Sequence, residues 1–222
     1  MTGAAARPYH HGNLAEALVG AALEMAAEGG PDAVVLREVA RRVGVSATAA
    51  YRHFTGQSDL MEAVKQAAME RLEQHLRHAL DRSEPAAGLV ALPGVERGSA
   101  QERGIRRLEG IGRAYFDFAV SQPGLFRCFC IGMPVPESQG VPVREAAAFG
   151  VLTEVLDELV TTGVLTAQRR AAGVDIALWS AVHGLAVLCL DGPLAELPRA
   201  EQYGMLTAVT DVVFHGLAGA RS

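Results

Sequence analysis

The sequence predicts an all-α chain of about nine helices, and three observations carry that expectation. Apolar residues recur every three or four positions in one segment after another, and no segment alternates at period two for long enough to be a strand. Aromatics make up only 5% of the 222 residues while Ala, Leu, Val and Gly dominate, which suits close-packed helices better than a β-sandwich. The apolar share is 50%, enough for a sizeable core and too much for a disordered tail.

The elements follow in order. Residues 1–11 (MTGAAARPYHH) read as a loose arm. Asn13 reads as an N-cap, with Glu16 completing a capping box. Leu14, Leu18, Ala22 and Met25 then mark a first helix that Gly29, Gly30 and Pro31 end. A second helix is expected over about Leu36–Val43, burying Leu36, Val39, Ala40 and Val43, with Gly44 where a left-handed cap belongs. Ser46 caps a third helix, about Ala47–Phe54. After Thr55 and Gly56 a long fourth helix, about Gln57–Arg82, carries Leu60, Val64, Ala68, Leu72, Leu76 and Leu80 at a spacing of four. Residues 83–101 are rich in Pro, Gly and Ala without a period and read as a loop. Helices resume over about Gln101–Ser121 and Gly124–Cys130, and a Pro-rich turn follows at Met133–Pro142. Three longer helices are expected over about Val143–Gly163, Ala167–Leu190 and Pro198–Leu217.

Residues 36–54, LREVARRVGVSATAAYRHF, hold the most specific signal. Two short helices joined by Gly-Val-Ser make a helix-turn-helix. Gly44 permits the positive-φ turn, Val45 plugs the angle, and Ser46 launches a second helix whose exposed start can enter a major groove. Tyr51, Arg52 and His53 end that helix as a polar cluster. Tyr and His can hydrogen-bond phosphate, and Arg can reach phosphate or a guanine edge. The alternative packs Tyr51 on the first helix and leaves His53 as plain surface.

The net charge of −5 excludes a histone-like coating protein but not a small, aimed DNA footprint, since phosphate contact depends on local charge. Residues 1–54 carry five Arg against five acids, and Arg outnumbers Lys nineteen to one in the whole chain. Cys128, Cys130 and Cys189 have no CxxC or zinc-ribbon spacing and read as free thiols of a reducing compartment. No charged-then-apolar leader and no long apolar run is found, so a cytoplasmic protein without membrane partners is expected.

YHHGNL at 9–14, the helix-turn-helix itself and the helix from Gln57 resemble the tetracycline-repressor (TetR) family of bacterial regulators. LEGIGRAYFDFAVSQPGLFRCF at 108–129 and ALWSAVHGLAVLCLDG at 177–192 are similar to its branch with a C-terminal Trp…His-Gly signature. The resemblance covers nearly the whole chain apart from 83–101. It implies a homodimer in which residues 1–56 form a three-helix DNA-binding head and residues 57–222 a helical ligand-binding and dimerisation body. In that family the third helix reads bases, and a Tyr with polar neighbours holds phosphates. Carried onto this chain, Ala47, Thr48 and Ala49 face bases, while Ser46, Tyr51, Arg52 and His53 position the head, with Arg37 and Gln57 completing the DNA-facing set. Three departures stand out. Val35 replaces the usual Ser or Thr cap of the second helix, Gln57 stands where Lys is usual, and Ala47 and Ala50 stand where the branch often has His and Pro. The operator is therefore expected to differ from those of relatives, with Thr48 as the side chain for direct readout. Arg7, Tyr9, His10 and His11 either touch the DNA backbone or minor groove or form an uninvolved arm.

In the body, Trp179 and His183 lie four residues apart on one helical face. They read either as a pocket wall, an indole to stack and an imidazole to bond a ligand, or as a core Trp and a structural His. Gly184 suits a close helix approach at a dimer seam. Tyr115, Phe116, Phe118, Phe126 and Phe129 are either core or the lining of an apolar cavity that Cys128 joins. His75 and His78 read as a solvated face rather than a metal site. The last two helices are apolar on more than one face, and a dimer seam of two helices from each subunit would absorb the excess. No GxSxG, HExxH, phosphate loop or carboxylate pair appears, so no catalytic residue, metal or cofactor is expected. The expected partners are a double-stranded DNA operator, a second copy of the chain and a small-molecule effector. The alternative is a ligand-independent architectural or partner-controlled DNA-binding regulator.

Overall fold

The computed structural model describes residues 14–82, 94–130 and 146–218. Ten α-helices and one 3-10 turn are found among them, and no strand. The helices are α1 (Leu14–Gly29), α2 (Leu36–Val43), α3 (Ala47–Ala50), α4 (Gln57–Asp81), α5 (Ala100–Ser121), α6 (Pro123–Cys130), α7 (Ala147–Thr161), α8 (Ala167–Ala171), α9 (Val174–Leu190) and α10 (Arg199–Ala218). The expected cap at Asn13, the arm with Arg7, Tyr9, His10 and His11, residues 83–93 of the expected loop and the Pro-rich turn at 133–142 lie outside the described residues.

Two expectations are corrected. The helix expected over Ala167–Leu190 is two helices, which brings the count from about nine to ten. Gly173 adopts φ +88, a left-handed conformation that a right-handed helix cannot run through. The break is held by Asp175, only 3% exposed, whose Oδ1 accepts from the Ile176 N–H at 2.9 Å while Oδ2 lies 3.4 Å from the Arg170 guanidinium. The third helix ends at Ala50, not Phe54. There the bonds tighten to three-residue turns, Arg52 N–H to Ala49 O at 3.3 Å and His53 N–H to Ala50 O at 2.9 Å, and Phe54 is buried.

The described chain divides into two compact units, one within 14–68 and 124–130, the other within 69–123 and 146–218. In the first, α2 packs on α1 and α3, around Leu18, Ala22, Ala26, Val39 and Ala40. α6 belongs to this unit. A Cβ on Gly124 would stand 2.1 Å from the Ala26 carbonyl oxygen, so the start of α6 seats directly on the backbone ending α1. In the second unit α5 packs against α7, α9 and α10, α9 lies on α10, and Phe116, Phe118, Phe149, Leu156 and Leu159 are buried between them. The stripe read along α4 is buried throughout: Leu60, Val64 and Ala68 in the first unit, Leu72, Leu76 and Leu80 in the second. No described helix is long and apolar enough to cross a membrane.

Candidate nucleic-acid interface and body cavity

Gly44 adopts φ +82 after α2, and its N–H donates to Arg41 O at 3.1 Å. Val45 N–H reaches back to Ala40 O at 2.9 Å, so the chain leaves α2 within two residues. Ser46 then caps α3, its Oγ accepting from the Ala49 N–H at 3.2 Å. The short helix is held from beneath by buried Ala50, and Phe54 is buried after it. Ser46, Thr48, Arg52 and His53 are exposed, Tyr51 is 47% exposed, and Ala47 and Ala49 are half-buried. Thr48 and Tyr51 therefore stand open rather than walled into the fold, and Tyr51 is not packed away on α1.

Charge in this unit is unevenly committed. Arg42 grips both oxygens of Glu28 at 2.7 and 2.9 Å and lies 3.4 Å from Glu24, while Arg41 holds Glu38 at 2.8 Å. Hydrogen bonding to Arg42 holds the Glu28 carboxyl below its usual range. Among the described residues Arg37 and Arg52 have no ion pair, which leaves two exposed guanidinium groups beside α3.

Gln57 occupies a role that the sequence did not suggest. Val35 precedes α2 without a side-chain cap, as expected from its chemistry. The missing cap is supplied from α4: Gln57 Oε1 accepts from the Leu36 N–H at 3.0 Å and its Nε2 donates to Val34 O. The carboxamide of this exposed residue thus bridges the start of α2. Arg37, Tyr51 and Gln57 line one groove of about 1100 Å³ with Pro31, Met61 and Arg127. Arg127 reaches it from α6, and no local pattern around that residue could have placed it there.

The body unit holds a cavity of about 50 Å³ walled by side chains of α4, α5, α7, α9 and α10. Tyr115 and Trp179 line it, their rings edge to face at 4.8 Å, and Phe149 lies 5.3 Å from the indole. His183 is not part of the wall. Its Nδ1 lies 2.8 Å from the Tyr115 hydroxyl in a hydrogen bond, and burial pulls the imidazole below its ordinary pKa, favouring the neutral ring. Phe116 is fully buried elsewhere in this unit, edge-on to Tyr203 at 5.4 Å. Phe126 and Cys128 belong to the other unit and are fully buried there. The Cys128 thiol, pushed up to about 11 by burial, donates to Gly124 O at 3.3 Å. Of the six residues nominated for a ligand, the structure thus brings Tyr115 and Trp179 together in one wall, with His183 behind Tyr115. His75 lies against the Phe118 ring at 5.8 Å rather than on a fully solvated face, while His78 is exposed.

On the last two helices Leu178, Val182, Leu185, Leu206 and Phe214 are core. Ile176, Ala177, Ser180 and Leu188 of α9 and Ala208 and Val212 of α10 stay exposed, Val212 at 72%. A Cβ on Gly184 would meet nothing within 4 Å.

Residues 18–64 match the family described as bacterial regulatory proteins, tetR family, and residues 108–213 match the tetracyclin repressor-like C-terminal domain. Among solved structures, a protein of unknown function from Rhodococcus sp. RHA1 is 25% identical, with a TM-score of 0.70 over 96% of this chain and 100% of its own. A TetR variant from Acinetobacter baumannii AYE in complex with minocycline is 19% identical, with a TM-score of 0.59 over 97% and 99% of the two chains. A tetR-family transcriptional regulator from Streptomyces coelicolor is 21% identical, with a TM-score of 0.58 over 96% and 85%. No curated protein matches. The two family matches fall on the two segments that carry the helix-turn-helix and the Trp…His-Gly body, and the chain belongs to the TetR family of DNA-binding transcription regulators.

Proposed function

We propose that this protein is a cytoplasmic homodimeric repressor that leaves a palindromic operator when a small molecule enters its body. The observation that carries the reading is the open face of α3. A Ser-capped helix presents Thr48, and Tyr51, Arg52 and His53 follow it exposed, beside two guanidinium groups without ion pairs. That arrangement suits a recognition helix whose start meets base edges while its end seats on phosphates. Arg37, Ser46, Ala47 and Ala49 complete the contact surface, and Gln57 acts on it through the start of α2. The DNA-binding domain is taken as residues 1–56 and the ligand-binding and dimerisation domain as 57–222.

One head meets one half-site. Pairing two through α9 and α10, where Ile176, Leu188 and Val212 are exposed, would set two recognition helices about 34–36 Å apart in successive major grooves. In the body, Tyr115 and Trp179 face the ligand and His183 orients the Tyr115 hydroxyl. α4 carries Leu76 in the cavity wall and Gln57 at the cap of α2, so its displacement by a ligand would disturb the head. A coupling of about 1–3 kcal/mol is typical of such devices. The size of the cavity, about 50 Å³ against the roughly 300–1,000 Å³ usual for ligand sites, favours a second reading, a regulator that works without a ligand.

Selecting bound DNA from a random pool tests the first part: inverted repeats with half-sites one helical turn apart are expected, and single asymmetric sites refute the dimer. Following operator binding during titration with small molecules tests the second. Unchanged binding with every compound that occupies the body leaves the ligand-independent reading.

A further inference from the structure

The cavity carries information about what it would accept. Its wall is made of Leu, Ile, Val, Ala, Phe, Trp, Tyr, Gly and one Thr, with no Asp, Glu, Lys, Arg or His among the residues that line it. The two hydroxyls in that wall are already engaged. Tyr115 bonds His183, and Thr210 Oγ1 donates within its own helix to Leu206 O and Thr207 O, each at 2.9 Å. The His183 imidazole, its pKa lowered by burial, bonds the Tyr115 hydroxyl and is not in the wall. An ionised ligand would lose its hydration here and meet no counter-charge, a cost that excellent pairing alone can offset. An apolar ligand would meet matching surface and the faces and edges of Trp179 and Tyr115.

Size narrows the class further. An apolar cavity of about 150 Å³ holds one benzene ring, whereas this one offers about 50 Å³. Entry of a single ring therefore requires the surrounding aliphatic side chains, Leu152 and Val182 among them, to change rotamer. Fused or extended molecules would demand separation of whole helices. Apolar walls of this kind are poor hosts for water and good hosts for compact apolar solutes.

We propose that the effector of this chain is a compact, uncharged, apolar molecule of about one ring, and that the cavity refuses the carboxylate or ammonium counterpart of the same size. The proposal rests on the reading that the body binds a small molecule, and it specifies which kind. Trp179 provides a direct probe, because it is the only tryptophan in the sequence and lies in the cavity wall.

The experiment titrates the full-length protein with toluene, benzoate and benzylammonium and follows Trp179 emission. Toluene is expected to change the emission saturably, with the two ions at least about 100-fold weaker, as an unpartnered buried charge dictates. Leu152→Phe, which fills the space with a ring of its own, is expected to abolish the toluene response while helical circular dichroism is retained. If that variant loses its helical signal, Leu152→Met serves instead, and it should weaken toluene without silencing Trp179. Binding of either ion as tight as that of toluene overturns the proposal, and so does silence from all three compounds. Operator binding, measured in parallel, separates this inference from the function it rests on. Toluene that occupies the cavity without releasing DNA counts against ligand-controlled repression and leaves standing the class of molecule the cavity accepts. Release by the ions alone does the reverse.

Discussion

Substituting Gln57 separates two tasks that this position could perform, capping α2 and holding DNA. Its carboxamide accepts from the Leu36 N–H at 3.0 Å and donates to Val34 O, at a helix start where Val35 has no side-chain acceptor. Loss of an N-cap costs about 0.5–2 kcal/mol, and a net hydrogen bond contributes about 0.5–1.5 kcal/mol. Gln57→Ala is therefore expected to destabilise the protein by about 1–2 kcal/mol, lowering the melting temperature by about 2–8 °C for a chain of this size. Thermal melting followed by helical circular dichroism reads that loss. Operator affinity well below the melting temperature should stay within about fivefold, since less than about 1 kcal/mol of contact is removed. Gln57→Lys should show the same loss of stability, but add a cation near the groove and steepen the salt dependence of binding by about 0.9 per head. Undiminished melting of Gln57→Ala together with a large fall in affinity would refute the reasoning, because the carboxamide would then be serving phosphates.

Three further outcomes follow from the same geometry. Arg37→Ala and Arg52→Ala should each reduce the slope of log affinity against log salt by about 0.9 per head, whereas Arg42→Ala, whose guanidinium is engaged by Glu28, should leave the slope nearly unchanged. Gly124→Ala puts a Cβ 2.1 Å from the backbone oxygen of Ala26 and should destabilise by at least about 1–3 kcal/mol, while Gly20→Ala, with nothing within 4 Å, should stabilise by up to about 1 kcal/mol; urea titration measures both. Burial holds His183 below its ordinary pKa of 6.5, so the unfolded chain binds its proton first. Stability should be full above pH 6.5 and fall as the pH drops from there through the lowered native value. His183→Gln should flatten that segment and leave the later loss below pH 4.5, where Glu28, Glu102 and Glu154 give up their arginine partners.

Much of the fold was legible because burial repeats at helical spacing. The α4 stripe was readable residue by residue, since six apolar positions at intervals of four trace a strip that winds slowly round a helix, and all six are buried. Gly44 and Ser46 were readable because a positive φ and a cap each demand particular chemistry. Gly173 was not, because a glycine within an Ala-rich helical run can be tolerated, and only the buried Asp175–Arg170 contact makes it a break. The cap that Gln57 supplies was not legible, because a sequence shows what flanks a residue, not a helix start 21 positions away. The ligand set was least legible. Phe116, Phe126 and Cys128 share the apolar character of Tyr115 and Trp179, and composition cannot tell a cavity wall from a core.

The sparse head is the strongest argument for the proposed pairing. Two of its arginines are tied to carboxylates, and α3 offers Thr48 among alanines, so few groups per head can discriminate bases. One good base contact discriminates by about 1–3 kcal/mol, far short of what competition from roughly 10⁶–10⁹ other genomic sites demands. Two heads on one palindrome add their discrimination, and the deformability of the intervening DNA adds more. The exposed Val212 is then the place to break the protein without touching the head. Val212→Glu should put like charges across the α10 seam, shift the protein to monomer in sedimentation, and remove sequence preference while weak, salt-sensitive DNA binding and helical content remain. A Val212→Glu protein that stays dimeric and keeps its operator preference would place the seam elsewhere. In that case the exposed apolar faces of α9 and α10 would need another occupant, and the proposed pairing of heads another surface.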